Sequence, residues 1–369
     1  MLTQSETVNG HLPWRPERSE ADPLVSVILF CRNAERTLRR SIESVAQQSY
    51  KKIEYVVQDA ASADGTLDII RGYQDHLDIK LVSEPDAGPA DGFWRALKRC
   101  RGEIVATCLA DEELLPDAVQ HAVRVFRELP YIGAITGDAF VIDAEGRTLG
   151  IHKSEPFSFT RYLAAEYCPY WCSSFFSMRA LRSVGLFDRR WSADSLEFEV
   201  WCRLAEDYEI LYVPKILSKY GVHPEQLSNQ GERALTELRS RLQIIREHVF
   251  RPEGVFGALA HWRDRCILLQ KINLLQHLLA YRVPAAESLE ADILANHALP
   301  RRAVLQRAAS RNEVQRNIRN ELYGNPLVRG YHTAVATMYR HLLPASVRGR
   351  LTPNQKAWLR RVFRLPRAV

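Results

Sequence analysis

The hydrophobic pattern of the chain begins with a short apolar run at residues 25–30, which is rich in β-branched side chains. A continuous run of this length predicts a strand that is buried on both faces of a parallel sheet. In the next segment, Leu38, Ile42 and Val45 have the i, i+4, i+7 spacing of one buried helix face. Asn33 precedes this segment and is the predicted cap of the helix. The stretch therefore predicts one strand–helix unit.

The same alternation of strand and helix repeats along the chain. Further strands are predicted at residues 53–57, 79–82 and 104–109. A helix is predicted after each of them, the first with Leu67, Ile70 and Tyr73 on one side, the others over residues 92–99 and 116–128. Strands and helices that alternate at this pace predict an α/β fold with a mostly parallel sheet.

The pattern changes after residue 132. Residues 134–142 and 148–152 are predicted to be the strands of a hairpin, and residues 143–146 its turn. Beyond residue 231, apolar positions follow helical spacing almost throughout. We therefore expect a flexible tail at 1–22, an α/β domain at 23–230 and a basic, mainly helical C-terminal region at 231–369.

Charge is distributed unevenly between these regions. The whole sequence has a net charge of +6, yet residues 301–369 contain 15 Lys and Arg against 2 Asp and Glu. A basic segment behind an acidic body predicts an anionic partner: a membrane surface, a phosphorylated acceptor or, as the weakest option, nucleic acid. Trp358, Val362 and Phe363 lie among these arginines, a pattern that favours contact with a membrane surface. A packed helical extension and a homodimer contact are the other interpretations of this region.

Composition and cysteine usage restrict the compartment. The chain is 46% hydrophobic and 25% charged, the balance of a folded globular protein. Its seven cysteines have no spacing typical of a zinc site, which favours reduced thiols in a reducing compartment. The first residues lack the apolar run of a signal peptide, and no stretch of 18 apolar residues occurs. We therefore expect a cytoplasmic protein, with peripheral contact at the inner face of the membrane as an option.

Acidic side chains follow three successive predicted strands. Asp59 comes after the second strand, Glu84 and Asp86 after the third, and Asp111 and Glu112 after the fourth. Ligands of open α/β sheets bind at the carboxyl ends of the strands, so we expect these residues to lie at one edge. Crowded carboxylates repel unless a cation or hydrogen-bond donors hold them. Because Mg²⁺ and Mn²⁺ bind both carboxylate and phosphate oxygens, the pattern predicts a site for a nucleoside diphosphate and a divalent cation.

The ordered series of these motifs resembles family 2 glycosyltransferases with a GT-A fold. The segments that carry the resemblance are PLVSVILFCRNAERTLRRSIESVAQQSYKKIEYVVQDAASADGT, SEPDAGPADGFWRAL, GEIVATCLADEELLPDAV, SVGLFDRRWSADSLEFEVWCRLAE and YGVHPEQLSNQ. The resemblance covers about residues 23–230. It implies a Rossmann-like, mostly parallel central sheet with helices on both faces. It also implies an inverting transfer of a sugar from a nucleoside-diphosphate sugar, a UDP-sugar in first place, to a hydroxyl of a glycan or lipid-linked acceptor. Such a reaction belongs to polysaccharide or glycolipid biosynthesis.

The resemblance also implies roles for individual residues. The nucleotide-sugar site would contain Arg32, Asp59, Glu84, Asp86, Asp91 and Ala110. The metal site would hold Mn²⁺ or Mg²⁺ with Asp111, Glu112 and His223. The general base would be Glu197, with Asp194 and Glu199 as rivals.

Five positions depart from the family pattern. Leu109 replaces a polar residue beside the metal, and Ala60-Ala61 replaces a Gly-rich turn. Gly221 stands where an arginine often precedes the histidine, and Arg95 where Asn or Lys is usual. These departures leave a non-catalytic GT-A-like module that binds a nucleotide sugar or glycan as the alternative. A nucleotidyltransferase would need a glycine-rich, basic loop after the first strand, which residues 30–35 do not resemble.

Overall fold

The structure is a computed structural model that describes residues 22–163, 165, 167–185, 195–222, 231–251, 263–280 and 285–296. Within these residues nine strands form one sheet in the order β3-β2-β1-β4-β8-β6-β9-β5, with β7 paired to β6. The strands are β1 (Val25–Cys31), β2 (Ile53–Asp59), β3 (Asp78–Ser83), β4 (Ile104–Thr107), β5 (Glu112–Leu114), β6 (Ala134–Ile142), β7 (Thr148–His152), β8 (Ser174–Ser177) and β9 (Ile210–Gly221).

The two halves of the sheet differ in strand direction. Strands β3, β2, β1 and β4 are all parallel, and their register places Cys31, Asp59 and Ser83 side by side. The second half is mixed, because β8 pairs antiparallel with β4 and β6, whereas β9 runs parallel to β6 and antiparallel to β5. The expected α/β architecture is therefore confirmed: β3, β2, β1 and β4 are parallel, and in the mixed second half β6 and β9 are parallel while the other pairs are antiparallel. The predicted hairpin of β6 and β7 is confirmed, since a connection this short permits only antiparallel pairing.

Helices cover both faces of the sheet, as expected. They are α1 (Leu38–Ala46), α2 (Thr66–Arg71), α3 (Pro89–Arg99), α4 (Ala118–Glu128), α5 (Phe159–Leu163), α6 (Met178–Ser183), α7 (Leu196–Asp207), α8 (Gly231–Ile244), α9 (Arg263–Ala280) and α10 (Ala285–Asn296). Alternate side chains of β1 enter different cores: Val27 packs with α1 and α4, and Ile28 packs with α3 and α7. The sheet thus separates two hydrophobic cores.

Local differences from the sequence prediction have identifiable causes. Asn33 does not cap α1, because its side chain accepts a hydrogen bond from the Ala63 amide, and Thr37 is the residue before the helix. Tyr73 lies beyond the end of α2, where its hydroxyl donates to Glu43. Strand β5 has three residues and no hydrophobic pattern of its own, since its pairing with β9 defines it.

The described helices beyond residue 231 pack on the same core as α7. Leu238, Leu242 and Leu275 belong to the hydrophobic cluster that contains Phe198 and Trp201. The Gln270 side chain of α9 donates to the Leu163 carbonyl at 2.9 Å, and Asn273 donates to the Ala165 carbonyl at 2.8 Å. The domain division at residue 230 stays a prediction, and the predicted tail at 1–21 and the basic segment beyond 297 lie outside the described residues. None of the helices described is both long and apolar enough to cross a bilayer.

Candidate functional site

Asp59 ends β2 and lies fully buried at the carboxyl edge of the parallel strands. The Ser62 amide and hydroxyl donate to its two carboxylate oxygens at 2.9 and 2.5 Å, and the Ser83 hydroxyl donates at 2.6 Å. A carboxylate offers about four lone-pair positions, and the Cys31 thiol, a weak donor 3.9 Å from Asp59 Oδ1, takes the position that these three donors leave. Asp59 therefore joins the loop after β2 to the end of β3 through its own hydrogen bonds.

The loop after β1 is tied to the same serine. The Asn33 amide donates to Ser62 Oγ at 2.8 Å, and the Ala63 amide donates to Asn33 Oδ1 at 2.9 Å. Asn33 has a φ of 51° and Ala61 a φ of 53°, both in the left-handed region. The turn after β2 therefore adopts a backbone conformation that glycine favours, although alanine occupies it. Arg32, predicted to contact the nucleotide sugar, is exposed beside this loop.

Asp86 lies against the first turn of α3. The Gly88 amide donates to Asp86 Oδ1 at 2.9 Å, and Gly88 has a φ of 119°, which favours glycine at this position. A Cβ atom at Gly92 would lie 2.9 Å from Asp86 Oδ2. Two glycines thus allow the carboxylate to approach the start of the helix closely.

Arg95 pairs with the two other acidic residues of this loop. Its guanidinium lies 2.8 Å from Glu84 Oε1 and 2.7 Å from Asp91 Oδ2, and it donates to the Pro85 carbonyl at 3.2 Å. Asp91 also accepts a hydrogen bond from the Ala87 amide at 3.1 Å. Arg95 is one of the departures from the family pattern. A nucleotide sugar that binds Glu84 or Asp91 must therefore compete with this arginine.

The negative charges of Asp59 and Asp86 both act on the thiol of Cys31. Burial raises the pKa of Cys31, and the negative charges of Asp59, Asp64 and Asp86 raise it further. Cys31 Sγ lies 3.9 Å from Asp59 Oδ1. The structure thus brings together two of the predicted acidic residues at the end of β1. We call Cys31, Asp59, Ser62, Ser83 and Asp86 the β2 cluster.

Asp111 and Glu112 lie where the chain turns from β4 into β5. The Glu112 amide donates to the Leu109 carbonyl at 3.0 Å, and the Leu109 amide donates to Glu112 Oε2 at 2.8 Å. Leu109 therefore holds Glu112 through main-chain atoms, although its own side chain offers no metal ligand. Burial raises the pKa of Glu112 well above its ordinary value, and repulsion from Asp111 and Glu197 adds to the rise. Ala110, between Leu109 and Asp111, is half-buried.

Gly221 brings the end of β9 against the main chain of Asp111. The Gly221 amide donates to the Asp111 carbonyl at 3.1 Å. A Cβ atom at Gly221 would lie 2.4 Å from that same carbonyl oxygen, a distance that real Cβ atoms essentially never show. The glycine that departs from the family pattern therefore has a steric reason in this chain, because it permits β9 to fix the position of Asp111.

Glu197 lies in the first turn of α7, where its side chain is exposed to solvent. Its pKa is raised to about 7, chiefly because the surrounding protein removes water from the charged form, and then because of repulsion from Glu237; Arg241 opposes the rise. The pKa of this residue is therefore suited to exchange of a proton near neutral pH.

Tyr220 connects Glu197 with Asp111 and Glu112. Burial raises the pKa of the Tyr220 hydroxyl, and the negative charges of Glu197, Glu112 and Asp111 raise it further, in that order. The negative charges of all three carboxyl groups therefore act on one tyrosine. We call Asp111, Glu112, Glu197 and Tyr220 the β5 cluster. Glu197 also interacts electrostatically with further titratable groups, namely Tyr162, Cys168, Cys172, Glu237 and Arg241.

The rivals of Glu197 have different surroundings. Glu199 is buried and pairs with Arg203 at 2.9 Å on the same helix, so its carboxylate is engaged inside the protein. Asp194, the other rival, and His223, the predicted third metal ligand, lie outside the described residues.

The donor chemistry of the β5 cluster fits a hard divalent cation. Asp111 and Glu112 supply adjacent carboxylates, and Mg²⁺ is commonly held by one or two carboxylates while phosphates and water complete its shell. In the part of the chain that the structure describes, no group of three His, Cys, Asp or Glu side chains forms a ready cage. A cation would therefore need the oxygens of a bound diphosphate, and it would favour the ionised form of Glu112.

The two clusters lie on one edge of the sheet, on either side of the end of β1. β1 pairs with β2 on one side and with β4 on the other, and the Cys108 amide donates to the Ile28 carbonyl at 3.0 Å. Two interstrand spacings separate β2 from β4, which is about 10 Å. The predicted acidic residues thus form two neighbouring groups on one edge rather than a single cluster.

Aromatic residues surround the β5 cluster on the side of the hairpin. Tyr170 stacks on His152 with ring centroids 3.7 Å apart, and its ring lies 5.0 Å from that of Tyr220. Trp171 is buried and packs against Phe176 at 4.8 Å. Tyr170 is therefore covered by its neighbours, and Trp171 belongs to the core.

Sequence reasoning missed the residues that hold the acidic side chains in place. Ser62, in the loop after β2, and Ser83, the last residue of β3, both donate to Asp59. Glu237 and Arg241 of α8 change the pKa of Glu197 from a helix about 40 positions further along the chain. The only signal for the serines was their position directly beside strand ends. For Glu237 and Arg241 the sequence offered none, since packing of α8 on α7 brings them there.

Comparison with known proteins agrees with this geometry. Residues 26–184 match the family model described as "Glycosyl transferase family 2". The chain is 25% identical to chondroitin synthase of Escherichia coli over 208 residues, 56% of this chain and 30% of that protein. It is 26% identical to poly-beta-1,6-N-acetyl-D-glucosamine synthase of Staphylococcus epidermidis over 201 residues, 52% of this chain and 48% of that protein. The chain thus spans less than half the length of either relative.

A solved structure supports the fold. The mannosyltransferase PcManGT from Pyrobaculum calidifontis, in complex with GDP-Man and Mn²⁺, superimposes with a TM-score of 0.51 at 20% sequence identity. The similarity covers 81% of this chain and 83% of the mannosyltransferase. At this level of identity the comparison establishes a shared GT-A-type architecture.

Proposed function

Because residues 26–184 belong to glycosyl transferase family 2, we propose that the protein is an inverting, metal-dependent glycosyltransferase. It transfers a sugar from a nucleoside-diphosphate sugar to a hydroxyl of a glycan or lipid-linked acceptor. One observation carries the proposal: the negative charges of Glu197, Asp111 and Glu112 act on the same side chain, Tyr220, and the pKa of Glu197 is about 7. A base and an acidic pair thus meet where α/β folds bind their ligands.

Glu197 is the general base of the proposed reaction. Its carboxylate accepts the proton of the acceptor hydroxyl as that oxygen attacks the anomeric carbon. A base with a pKa near the working pH combines an ionised population with a useful affinity for the proton. A single displacement from the face opposite the leaving diphosphate inverts the anomeric configuration.

Asp111 and Glu112 are the residues that would hold a divalent cation. When bound, such a cation neutralises negative charge on the departing diphosphate. The main chain of Leu109 orients Glu112, and the end of β9 at Gly221 orients Asp111, so both carboxylates are positioned without a ligand. A third ligand at His223 remains part of the proposal.

The β2 cluster is the proposed nucleoside site. The fourth acceptor position of Asp59 holds the Cys31 thiol, a weak donor that a single hydrogen bond from a base or ribose would replace. Asp86 lies at the start of α3 next to the same strand edge. Two interstrand spacings, about 10 Å, separate β2 from β4, which supports a nucleoside at the β2 cluster and its diphosphate at the β5 cluster.

Donor binding tests the proposal without turnover. We expect isothermal titration with a panel of UDP- and GDP-sugars to identify one that binds at least tenfold more tightly with Mn²⁺ than with EDTA, and Asp111→Asn to remove this difference. Asp117→Asn is the matched control, because Asp117, the residue before α4, is exposed and pairs with Lys215 of β9. Equal metal dependence in Asp111→Asn and in the unaltered protein would contradict the assignment.

The alternative function is a non-catalytic module that binds a nucleotide sugar or glycan. Leu109 favours it, because an apolar side chain stands where another polar group would support the metal. NMR of the reaction mixture separates the two functions. An enzyme forms a product of inverted anomeric configuration, whereas a binding module leaves the donor intact even with every acceptor supplied.

A further inference from the structure

The first turn of α7 carries Glu197 and is held in part by a residue outside the segment that matches the family. The ring of Phe198, next to Glu197, stacks on Tyr162 of α5 with centroids 5.2 Å apart. The guanidinium carbon of Arg241, from α8, lies 5.6 Å from the centroid of the same ring. Phe198 is thus in contact with a residue of α5 and with a cation of α8.

Arg241 is itself oriented by a partner on α8. Its guanidinium pairs with Glu237, one helical turn earlier, and both side chains are about one-third exposed. Leu238 and Leu242, adjacent to these two residues, are buried in the core that contains Phe198. The apolar face of α8 therefore fixes the helix, and its polar face presents an ion pair to the first turn of α7.

We propose that Arg241 is a positioning residue for Glu197. The Arg241 guanidinium, paired with Glu237 and lying against Phe198, fixes the first turn of α7 and so the direction of the Glu197 carboxylate. It also screens Glu197 from the negative charge of Glu237. This inference rests on the proposed role of Glu197 as general base, and it assigns a part of the reaction to a helix beyond the family match.

The closing experiment compares Arg241→Gln, Arg241→Lys and Glu237→Gln. We expect Arg241→Gln to lower kcat on the order of tenfold to a hundredfold, because small misplacement of a reacting group has effects of this size. Its donor KM should stay within twofold, since the β2 cluster is untouched. Arg241→Lys should recover most of kcat, because an ammonium retains both the ion pair and the contact with the ring. Glu237→Gln leaves the guanidinium on the ring and should reduce kcat less than Arg241→Gln.

Arg251→Gln is the matched control. Arg251 pairs with both oxygens of Glu206 at 2.8 and 3.1 Å, in the last turn of α7 and about 13 Å along the helix from Glu197. This variant loses an ion pair on the same helix and should retain kcat. If Arg241→Gln keeps the unaltered kcat, or if Arg251→Gln loses as much, the positioning role is refuted.

A crystal structure of Arg241→Gln decides the inference separately from turnover. The inference requires a displaced Glu197 carboxylate and a displaced Phe198 ring, and an unchanged first turn of α7 overturns it. If the unaltered protein turns over no nucleotide sugar with any acceptor, the proposed function fails, and this structure still decides whether Arg241 positions Glu197.

Discussion

The β2 cluster and the β5 cluster are both acidic, yet they stabilise their charge in opposite ways. In the β2 cluster, hydroxyl and amide donors reach Asp59 at 2.5 to 2.9 Å. In the β5 cluster, burial raises the pKa of Glu112 and of Glu197, and repulsion from Asp111 and Glu197 raises that of Glu112 further. The first arrangement is complete without a ligand, whereas the second is relieved by a proton or a cation. A preformed pocket and a reactive centre can therefore be distinguished by how their carboxylates are satisfied.

Of the changes that test this comparison, Glu197→Gln should have the largest effect, a loss of kcat. It removes the proposed base and keeps the shape of the side chain, so we expect kcat to fall on the order of 10²–10⁴-fold. Donor affinity, measured by isothermal titration, should be preserved because the β2 cluster is intact. Glu128→Gln, at an exposed position near the end of α4, is the control. An active Glu197→Gln enzyme would exclude this residue as the base.

The pH profile should show the next largest effect. The pKa of Glu197 is raised from the ordinary range of a carboxyl to about 7, so kcat/KM should fall about tenfold per pH unit below 7 as the base becomes protonated. Because Glu237 raises this pKa and Arg241 lowers it, Glu237→Gln should move the acid limb to lower pH. Steady-state kinetics between pH 5 and 9, about two units on either side of this pKa, measure the acid limb in the unaltered protein and in Glu237→Gln. A limb that stays near pH 4.5 would mean that another group limits the rate.

Gly221→Ala should affect the β5 cluster alone. The new Cβ would clash with the Asp111 carbonyl, so the end of β9 or the β5 turn must shift, at a cost of about 1–3 kcal/mol of unfolding free energy. We expect metal-dependent donor affinity to fall about tenfold, which corresponds to 1.4 kcal/mol. Gly150→Ala, a strand glycine of β7 with open space around it, is the control. Equal stability and affinity in both variants, measured by urea unfolding and titration, would contradict the steric argument.

Asp59→Asn should have the smallest effect, and mainly on stability. An asparagine retains one acceptor oxygen but turns an amide toward serine donors, so we expect a loss of about 1–3 kcal/mol in unfolding free energy. Asp68→Asn, an exposed change on α2, should be neutral. If Asp59→Asn is as stable as the unaltered protein, the hydrogen bonds of the β2 cluster contribute little to the preformed pocket.

The sequence was most informative where side-chain pattern and backbone direction coincide. Buried runs such as 25–30 and 53–57 predicted parallel strands, and parallel strands placed Asp59 and Asp111 at one edge. In the mixed half, β5 escaped prediction because its pairing with β9 defines it. Arg241 escaped for the same kind of reason, since α8 reaches Phe198 only through tertiary packing. Gly221 looked like a lost contact in the sequence, and only the distance to the Asp111 carbonyl gave it a physical reason.

The hydrogen bonds from α9 to the carbonyls of Leu163 and Ala165 have a consequence for thermal unfolding of the protein. Gln270 and Asn273 bind main-chain oxygens more than 100 positions earlier in the chain, and the helices around them share a core with the sheet. Loss of either part exposes the apolar surface of the other, which is the condition for all-or-none unfolding. We therefore expect one cooperative heat-absorption peak for the sheet and helices α8–α10, and a chain that ends at residue 230 should lose that sharp transition.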